Sequence, residues 1–303
     1  HISMSIVFGI ILIFVVMFMP LGISYYLYKF RINYFNRIVA FFKRGRRPYG
    51  EFVKTSFGNI HYIKRGSGSI PILLIHGNFA SARFFEPFLK KLPTDYTAYC
   101  PDLPNFGYSS EMPGDVEIDK YAQGIEEFVN AMGLKDFILI GHSLGGAVAM
   151  AYAIRNPEKV KRLILIDSAP VGGMKLAEES HKLLNMYRYN PQIIKSALMF
   201  NAPTYTNERF FDIITSDALR IAPKAFVGNA VALSSYDYTE KVKTLTIPVD
   251  IVYGDKDVLI SSEEMKETAE AFPNGRLIMI KDVGHSSIIE SPDDIVKLLQ
   301  QGK

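Results

Sequence analysis

Ser143 stands in a pattern that serine nucleophiles use. It lies in the hexapeptide GHSLGG, residues 141–146, which contains the motif G-x-S-x-G. The apolar run FILI before the motif predicts a strand, and the run LGGAVAMAYAIR after the serine predicts a helix. The flanking glycines allow a sharp turn from strand to helix that exposes the hydroxyl, with the N–H groups of the helix N-terminus facing an incoming anion. We therefore expect Ser143 to be a nucleophile.

A serine hydroxyl reacts only when a base takes its proton and a third group orients that base. His285 is the best candidate for the base, because it follows the predicted strand RLIMIKDV in a short glycine-containing loop. The acid is expected after the preceding strand, in GDKD at 254–257, where we select Asp257 and keep Asp255 as the alternative. Asp167, at the end of the run RLILID, is a third possibility. The order Ser, Asp, His along the chain is typical of such sites on parallel sheets.

Two backbone N–H groups are needed to stabilise the oxyanion that forms when a serine attacks a carbonyl. Leu144 offers the first, since its N–H directly follows the nucleophile. The second is expected from the loop HGNF, residues 76–79, where Gly77 permits a close approach. We favour the N–H of Asn78 over that of Phe79. Losing one such donor typically costs ~3 kcal/mol in the transition state.

Apolar side chains that could bind a substrate are concentrated between residues 172 and 243. This stretch has no strand pattern, and its helix-like pieces are interrupted by prolines. It predicts a helical cap over the strand ends, and its adaptable Met and aromatic side chains suit an apolar ligand. The substrate-binding residues expected from the cap and the catalytic loops are Phe79, His142, Met174, Met186, Met199, Phe200 and Phe226.

Apolar runs and helical patterns alternate along the chain after Gly50. EFVKTSF and NIHYIKRG are separated at Gly58 and predict an antiparallel hairpin. Six further runs of the buried-strand type follow, from IPILLI to GRLIMI, with helical stretches between them. The pattern predicts an α/β fold with a mostly parallel eight-stranded sheet and helices on both faces. Its core is expected to comprise residues 51–171 and 244–303, with the cap at 172–243.

The first fifty residues have a different character. Residues 1–3 resemble the remnant of an expression tag, and residues 4–28 carry no charged side chain. As a helix, residues 4–28 would extend roughly 37 Å at ~1.5 Å per residue, enough to cross a ~30 Å hydrocarbon core. A signal peptide fits less well, because the run is long and lacks a basic start and a small-x-small cleavage site. We expect a transmembrane helix.

Residues 29–50 are expected to form a basic amphipathic juxtamembrane segment. Seven Lys or Arg and no acid occur between residues 29 and 47, and aromatic side chains such as Phe30, Tyr34 and Phe41 share the opposite side of a helical wheel. Opposed basic and aromatic sides suit a helix in the headgroup region of a bilayer. The positive-inside rule then predicts a single-pass N-terminal anchor with the catalytic domain on the cytoplasmic side. The lipid bilayer is the expected partner.

The composition of the 303-residue chain argues against several other functions. The net charge is only +3, and the basic residues are concentrated beside the apolar run, so no nucleic-acid partner is expected. The single cysteine, Cys100, excludes an intrachain disulfide and a cysteine-cluster metal site. The chemistry inferred above implies neither a metal nor an organic cofactor. The sequence leaves the oligomeric state open.

These motifs together resemble the α/β-hydrolase superfamily over about residues 51–301. The matching stretches are HGN at 76–78, PDLPNFGYS at 101–109, GHSLGG at 141–146, GDKD at 254–257 and GH at 284–285. The resemblance implies that Asn78, after His-Gly, lends an oxyanion N–H and that Asp257, the last residue of G-x-x-D, is the triad acid. The family stretch D-x-x-G-x-G-x-S departs here at Pro104 and Asn105, which indicates a stiffer loop and no change in chemistry.

The resemblance also narrows the reaction. Serine at the nucleophile position argues against haloalkane dehalogenases and epoxide hydrolases, whose relatives carry Asp there. One N-terminal helix before a capped domain is similar to membrane-anchored monoacylglycerol-lipase-like hydrolases. We expect a serine hydrolase that cleaves monoacylglycerols or short to medium acyl esters through a Ser-His-Asp triad and an acyl-enzyme. The alternatives are a C–C bond hydrolase, lactonase, aminopeptidase or perhydrolase with the same triad, or a non-catalytic membrane scaffold.

Overall fold

The computed structural model describes residues 49–174 and 184–301. The expected tag remnant, the transmembrane helix and nearly all of the juxtamembrane segment lie outside the described residues. Within residues 49–174 and 184–301, no helix combines the length and the apolar character that crossing a membrane requires.

Eight strands form one sheet in the order β1-β2-β4-β3-β5-β6-β7-β8. They are β1 (Glu51–Thr55), β2 (Gly58–Gly66), β3 (Ile70–Ile75), β4 (Tyr96–Pro101), β5 (Phe137–His142), β6 (Val160–Ile166), β7 (Val249–Gly254) and β8 (Gly275–Ile280). Strands β1 and β2 pair antiparallel, as do β2 and β4, and every other neighbouring pair is parallel. The predicted mostly parallel, eight-stranded sheet is confirmed.

Helices cover both faces of this sheet. They are α1 (Glu86–Leu89), α2 (Ile118–Met132), α3 (Leu144–Arg155), α4 (Pro191–Phe200), α5 (Glu208–Ala218), α6 (Ala225–Ser234), α7 (Ser262–Ala271), α8 (Ser287–Glu290) and α9 (Pro292–Gln300). Local signals set several of their ends. Helix α2 ends at Gly133, whose φ of 64° lets its N–H reach the carbonyls of the last turn. Helix α7 begins with a capping box between Ser261 and Glu264.

Two apolar clusters, one on each face of the sheet, form the core. Successive side chains of a strand point to opposite faces, so Leu73 and Ile75 of β3 join one cluster while Ile72 and Leu74 join the other. The first cluster packs against α2 and α3, and the second packs against α1 and α9. The inner parallel strands β3, β5, β6 and β7 are mostly buried on both faces, and their sequences are largely apolar, whereas the edge strand β8 is mostly exposed. This rigid sheet fixes the positions of the loops at its carboxyl edge.

The expected cap region is helical where the structure describes it. Helices α4, α5 and α6 lie between β6 and β7, and the described part of residues 172–243 contains no strand. Asn190 and Asn207 cap the first two of these helices, since their side-chain oxygens accept N–H groups of the first turn. The buried carboxylate of Asp217 in α5 accepts hydrogen bonds from Ser81 Oγ and Arg83 Nε of the core, each at 2.7 Å. These bonds attach the cap next to the loop that carries Asn78.

Candidate active site

Ser143 occupies the sharp turn between β5 and α3. Its φ of 53° and ψ of −123° lie in a region that residues with a side chain rarely adopt, and such strain is found mainly at functional sites. The turn requires the glycines beside it: a Cβ on Gly145 would stand 2.2 Å from the Ile75 carbonyl oxygen, and one on Gly146 would stand 2.0 Å from Ser168 Oγ. The close approach of α3 to the sheet therefore holds the serine in its strained conformation.

His285 and Asp257 form a hydrogen-bonded chain with this serine. His285 Nε2 lies 2.9 Å from Ser143 Oγ, and His285 Nδ1 lies 2.7 Å from Asp257 Oδ2. The second Asp257 oxygen accepts the N–H groups of Leu259 and Ile260, so the carboxylate is fixed from both sides. Since a carboxylate only accepts, the Nδ1 atom carries the proton and Nε2 is left to accept from the serine hydroxyl. This arrangement can activate a nucleophile.

The surroundings of His285 favour its charged form. Burial alone lowers the pKa of the imidazole, but the hydrogen bond to Asp257, its negative charge and the charges of Asp167 and Glu290 outweigh burial and raise the pKa above its ordinary value. The carboxylate of Asp257 is only 1 % exposed, so water screens the pair weakly. An imidazolium formed when the ring takes the serine proton is therefore stabilised.

The two other candidate acids have other partners. Asp255 is exposed, and its Oδ1 accepts the Asp282 N–H at 2.6 Å. Asp167 is fully buried and accepts hydrogen bonds from the Gly254 N–H and from both the N–H and the hydroxyl of Ser287. Burial, opposed by His285 and reinforced by the charge of Asp257, raises the pKa of Asp167 to about 7. These hydrogen bonds connect the end of β6 to the end of β7 at Gly254 and to the start of α8 at Ser287.

The loop HGNF lies against the serine. A Cβ on Gly77 would stand 2.9 Å from both Ser143 Cβ and His142 Nδ1, so only glycine permits this contact. The Phe79 N–H donates to the Asn78 side-chain oxygen at 3.1 Å and is thereby occupied, whereas no hydrogen bond among the described residues uses the Asn78 N–H. Leu144 begins α3, where a backbone N–H has no carbonyl partner within the helix. The N–H groups of Asn78 and Leu144 are thus available beside Ser143.

An apolar cavity of about 260 Å³ opens at Ser143 between the core and the cap. Three of the predicted substrate-binding residues line it, namely Phe79, His142 and Met174. His142 itself is buried and donates through Nε2 to the His285 carbonyl oxygen, and burial lowers its pKa to about 3, so its ring is neutral. The cavity is shaped to take an apolar group next to Ser143.

The other four predicted lining residues lie elsewhere. Met186 is 59 % exposed and Phe200 is 69 % exposed, which puts both side chains on the outer surface of the cap. Met199 packs against the core cluster that also contains α1. Phe226 is buried behind Phe79, with 5.8 Å between the ring centroids, so it supports the lining without contributing to it.

Several residues that line the cavity are neither methionine nor aromatic, so the Met and aromatic content of the cap does not identify them. The cavity is also lined by Ile194, Ala197 and Leu198 of α4, by Asn201 directly after that helix, and by Leu233 of α6. The α4 positions recur at intervals of three and four residues, the spacing of one helix face. That periodicity was the signal available in the sequence.

A larger hollow of about 410 Å³ lies at the opposite end of the sheet. Its lining includes Arg162, Asp250 and Arg276, and the Asp250 carboxylate accepts from both guanidinium groups. None of Ser143, His285 and Asp257 borders it. Among the residues that the structure describes, no group of three or more His, Cys, Asp or Glu side chains is arranged to hold a metal ion.

Comparison with known proteins agrees with this geometry. A family described as alpha/beta hydrolase fold matches residues 70–292. Lipase 3 of Moraxella sp. (strain TA144) is 31 % identical over 240 residues, and Lipase 1 of Psychrobacter immobilis is 30 % identical over 240 residues; each match covers 74 % of both chains. The solved structure of an esterase from Exiguobacterium antarcticum has a TM-score of 0.76 at 20 % identity, covering 84 % of this chain and 99 % of that one. The chain therefore belongs to the alpha/beta hydrolase fold family, with lipases and esterases among its relatives.

Proposed function

We propose that this protein is a serine hydrolase that cleaves carboxylic esters, with Ser143, His285 and Asp257 as its catalytic triad. The observation that carries the proposal is the chain of hydrogen bonds from Ser143 Oγ to His285 Nε2 and from His285 Nδ1 to Asp257, at the mouth of an apolar cavity. The similarity to two lipases supports an ester as the substrate.

The first half of the proposed reaction forms an acyl-enzyme. Ser143 Oγ attacks the ester carbonyl carbon while His285 Nε2 takes the hydroxyl proton. The carbonyl oxygen becomes an oxyanion, which the N–H groups of Asn78 and Leu144 stabilise. When the tetrahedral intermediate collapses, the imidazolium gives its proton to the departing alcohol oxygen. Asp257 stays ionised and holds the ring throughout.

The second half releases the acid. A water molecule takes the place of the alcohol, and His285 removes its proton as its oxygen attacks the acyl carbon. The same two N–H groups stabilise the second oxyanion. Collapse of this intermediate breaks the bond to Ser143 Oγ, which recovers its proton from His285. The products are a carboxylic acid and an alcohol, and each proton that the base takes is returned.

The size of the cavity favours short to medium acyl chains, including those of monoacylglycerols. Its 260 Å³ would hold a chain of about nine groups the size of a water molecule, at ~30 Å³ each. Apolar side chains from both the core and the cap line the space, so each added methylene up to that length gains favourable burial. A longer chain would extend beyond this apolar lining and gain no further burial against it.

Covalent labelling tests the nucleophile. The wild-type protein is expected to react with a fluorophosphonate probe at Ser143, and Ser143→Ala should abolish both labelling and ester hydrolysis. Ser216→Ala, at an exposed position of α5, is the matched control and should retain both. An unlabelled wild type, or full labelling of Ser143→Ala, would refute the proposal.

A substrate series tests the ester class. Hydrolysis of p-nitrophenyl and glycerol esters should rise with acyl length to about eight to ten carbons and then fall, following the cavity volume. The measurement is kcat/KM for each ester, alongside a peptide amide and a lactone. Faster turnover of the amide or the lactone than of every ester would favour the aminopeptidase or lactonase alternative instead.

We further propose that residues 4–28 anchor the enzyme in a membrane, with residues 29–47 at the cytoplasmic surface. The support is the uncharged 25-residue run and the adjoining basic block. The strand register adds to it: Glu51 pairs with Tyr62, and Tyr62 pairs with Pro101 at the carboxyl end of β4. Glu51, at the start of the first described strand, thus lies at the carboxyl edge of the sheet, the edge where the cavity lies.

Truncation tests the anchor. A protein starting at Pro48 should lose its association with membranes and retain activity on soluble short-chain esters. Protease added to intact spheroplasts should leave the C-terminal domain of the full chain uncut, while protease added to inside-out vesicles should digest it. A truncated protein that still sediments with membranes, or cleavage in intact spheroplasts, would contradict the proposal.

A further inference from the structure

A chain of buried hydrogen bonds joins the cap to the loop that carries Asn78. Asn229 of α6 donates through Nδ2 to Asn78 Oδ1 at 2.8 Å, and Asn229 Oδ1 accepts the Tyr121 hydroxyl of α2 at 2.7 Å. The Tyr121 oxygen in turn accepts Asn105 Nδ2 at 3.3 Å. Asn229 and Tyr121 are fully buried and Asn105 is 2 % exposed. Water is therefore excluded from the bonds around Tyr121 and Asn229, while Asn78 is partly exposed at the cavity.

The order of donors along this chain determines the orientation of each amide. The Tyr121 hydroxyl has one proton, which it gives to Asn229 Oδ1, so the Asn229 amide nitrogen must face Asn78. Asn78 Oδ1 then receives two donors, Asn229 Nδ2 from the cap and the adjacent Phe79 N–H from its own loop. Two donors on one oxygen fix the Asn78 side chain more firmly than the local bond alone.

The backbone at this position needs such support. Phe79 has a φ of 54°, in the left-handed region that residues with bulky side chains rarely adopt. The Asn78 N–H belongs to the preceding peptide unit, between Gly77 and Asn78, so its direction depends on the backbone angles of Asn78, which the turn at Phe79 helps to hold. Since the Asn78 side chain bonds to the Phe79 N–H, whatever fixes that side chain also fixes this turn.

The same network holds the cap backbone. Asn105, in the loop after β4, accepts the Ala222 N–H between α5 and α6 on its carbonyl oxygen at 2.8 Å. Its side-chain oxygen accepts the Met112 N–H at 2.9 Å. Asn105 is one of the two positions where the motif D-x-x-G-x-G-x-S departs from the usual pattern, and it has a left-handed φ of 71°. The conformation of the loop that carries Asn78 therefore depends on how α6 packs against the core.

We infer that Asn229 is a positioning residue for the oxyanion hole. It holds the Asn78 side chain so that the Asn78 N–H points at the developing negative charge. Transition-state stabilisation therefore depends on the packing of the cap against the core. This inference rests on the proposed esterase function. If α6 moves away from the core, the Asn78 side chain keeps only its hydrogen bond to the Phe79 N–H. The oxyanion hole is therefore fully formed only when the cap is packed against the core. The role acts through Asn78, and Asn229 itself contacts no reacting atom.

Two variants separate positioning from packing. Asn229→Asp retains the oxygen that accepts from Tyr121 and replaces the donor to Asn78 with an acceptor. Tyr121→Phe removes the bond that orients Asn229, together with the longer bond from Asn105 Nδ2, and leaves the Asn229 side chain unchanged. Both should lower kcat with KM within about twofold. The loss should be about 10- to 100-fold for Asn229→Asp, less than the ~10²- to 10³-fold for removal of a whole oxyanion donor, and smaller for Tyr121→Phe. Ser234→Ala, exposed on the same helix, is the control and should match the wild type.

A tetrahedral analogue provides a readout that a merely structural role would not affect. Affinity for a trifluoromethyl ketone, which forms an oxyanion on Ser143, should fall by the same factor as kcat, while affinity for the product acid stays unchanged. In an Asn78→Ala background, which keeps the backbone N–H and removes the side-chain acceptor, Asn229→Asp should have no further effect.

The outcomes are distinct. Wild-type protein that hydrolyses no ester and takes no fluorophosphonate label refutes the proposed function. An active wild type whose Asn229→Asp and Tyr121→Phe variants fold and retain kcat refutes the positioning role, as do losses confined to KM or fully additive losses in the Asn78→Ala background. If Asn229→Asp fails to fold, Tyr121→Phe decides by the same criteria.

Discussion

Asp257 Oδ2 lies 2.7 Å from His285 Nδ1, whereas Asp255, two residues earlier in the same loop, accepts from the Asp282 N–H instead. The two carboxylates also differ in exposure, since that of Asp257 is 1 % exposed and Asp255 lies at the surface. One short loop thus contains a buried partner for the histidine and, next to it, a solvated acid of the same chemistry. The pair offers a matched test of which acid serves the base.

Asp257→Asn should lower kcat on a short-chain ester by about 10³- to 10⁴-fold, because an amide no longer favours the histidine tautomer that accepts from the serine. Asp255→Asn should retain activity within about twofold, since an amide oxygen can still accept from the Asp282 N–H. Both variants keep the shape of the side chain, so steady-state ester hydrolysis compares their chemistry directly. Similar losses in the two variants would contradict the assignment.

The pH dependence of kcat/KM should show an acid limb with its midpoint above about 6.5, the ordinary pKa of histidine. His285 must be neutral to act as the base, and Asp257, with further negative charge from Asp167 and Glu290, raises its pKa despite burial. Activity therefore rises as the pH increases through this raised pKa. In Asp257→Asn the charge that stabilises the imidazolium is gone, so the limb should move to lower pH. An unmoved limb would indicate that another group controls it.

The Asp217 contacts predict how firmly the cap is held. Asp217→Ala should lower the free energy of unfolding by about 3 kcal/mol, the lower end for a broken buried ion pair, because Arg83 is 21 % exposed and is left without its acid. Asp212→Ala, on the same helix, removes an exposed pair with Lys195 and should cost less than about 1 kcal/mol. Urea unfolding gives both values, and trypsin should cut the cap of Asp217→Ala faster. Equal costs would show that Asp217 does not hold the cap.

The strands and the candidate catalytic residues could be predicted because the relevant signals are local. Ser143, Asp257 and His285 each come shortly after a mainly apolar strand, and parallel strands bring their carboxyl ends to the same edge of a sheet. The strained turn at Ser143 could also be predicted from the nearby glycines, because Gly145 and Gly146 have no room for a side chain. Local sequence therefore determines most of the geometry at the nucleophile.

The cap could be predicted only in outline. Met186 and Phe200 have the composition of lining residues and yet face solvent, because composition does not tell which face of a cap helix points inward. That orientation depends on contacts between distant residues, such as Arg83 with Asp217 and Asn78 with Asn229, which are 134 and 151 positions apart. No sequence periodicity links such pairs, so the Asn229 network emerges only from the tertiary structure.

Asp167 should make the stability of the protein fall as the pH rises from about 4 to about 7. Burial raises its pKa to about 7 in the folded state, against about 3.9 in an unfolded chain, so the folded state binds this proton more tightly. The resulting stabilisation is complete below the unfolded value and is lost as the pH rises through about 7. Its size is on the order of a few kcal/mol.

Urea unfolding of the wild type and of Asp167→Asn at several pH values isolates this contribution. The variant loses one hydrogen bond, because its amide cannot accept all three donors from Gly254 and Ser287, so it should be less stable at pH 5. Its stability should then change less between pH 5 and 8 than that of the wild type, and the two curves should converge as the pH rises. Parallel curves, or wild-type stability that increases over this range, would show that Asp167 is ionised throughout and that its three donors outweigh the effect of burial.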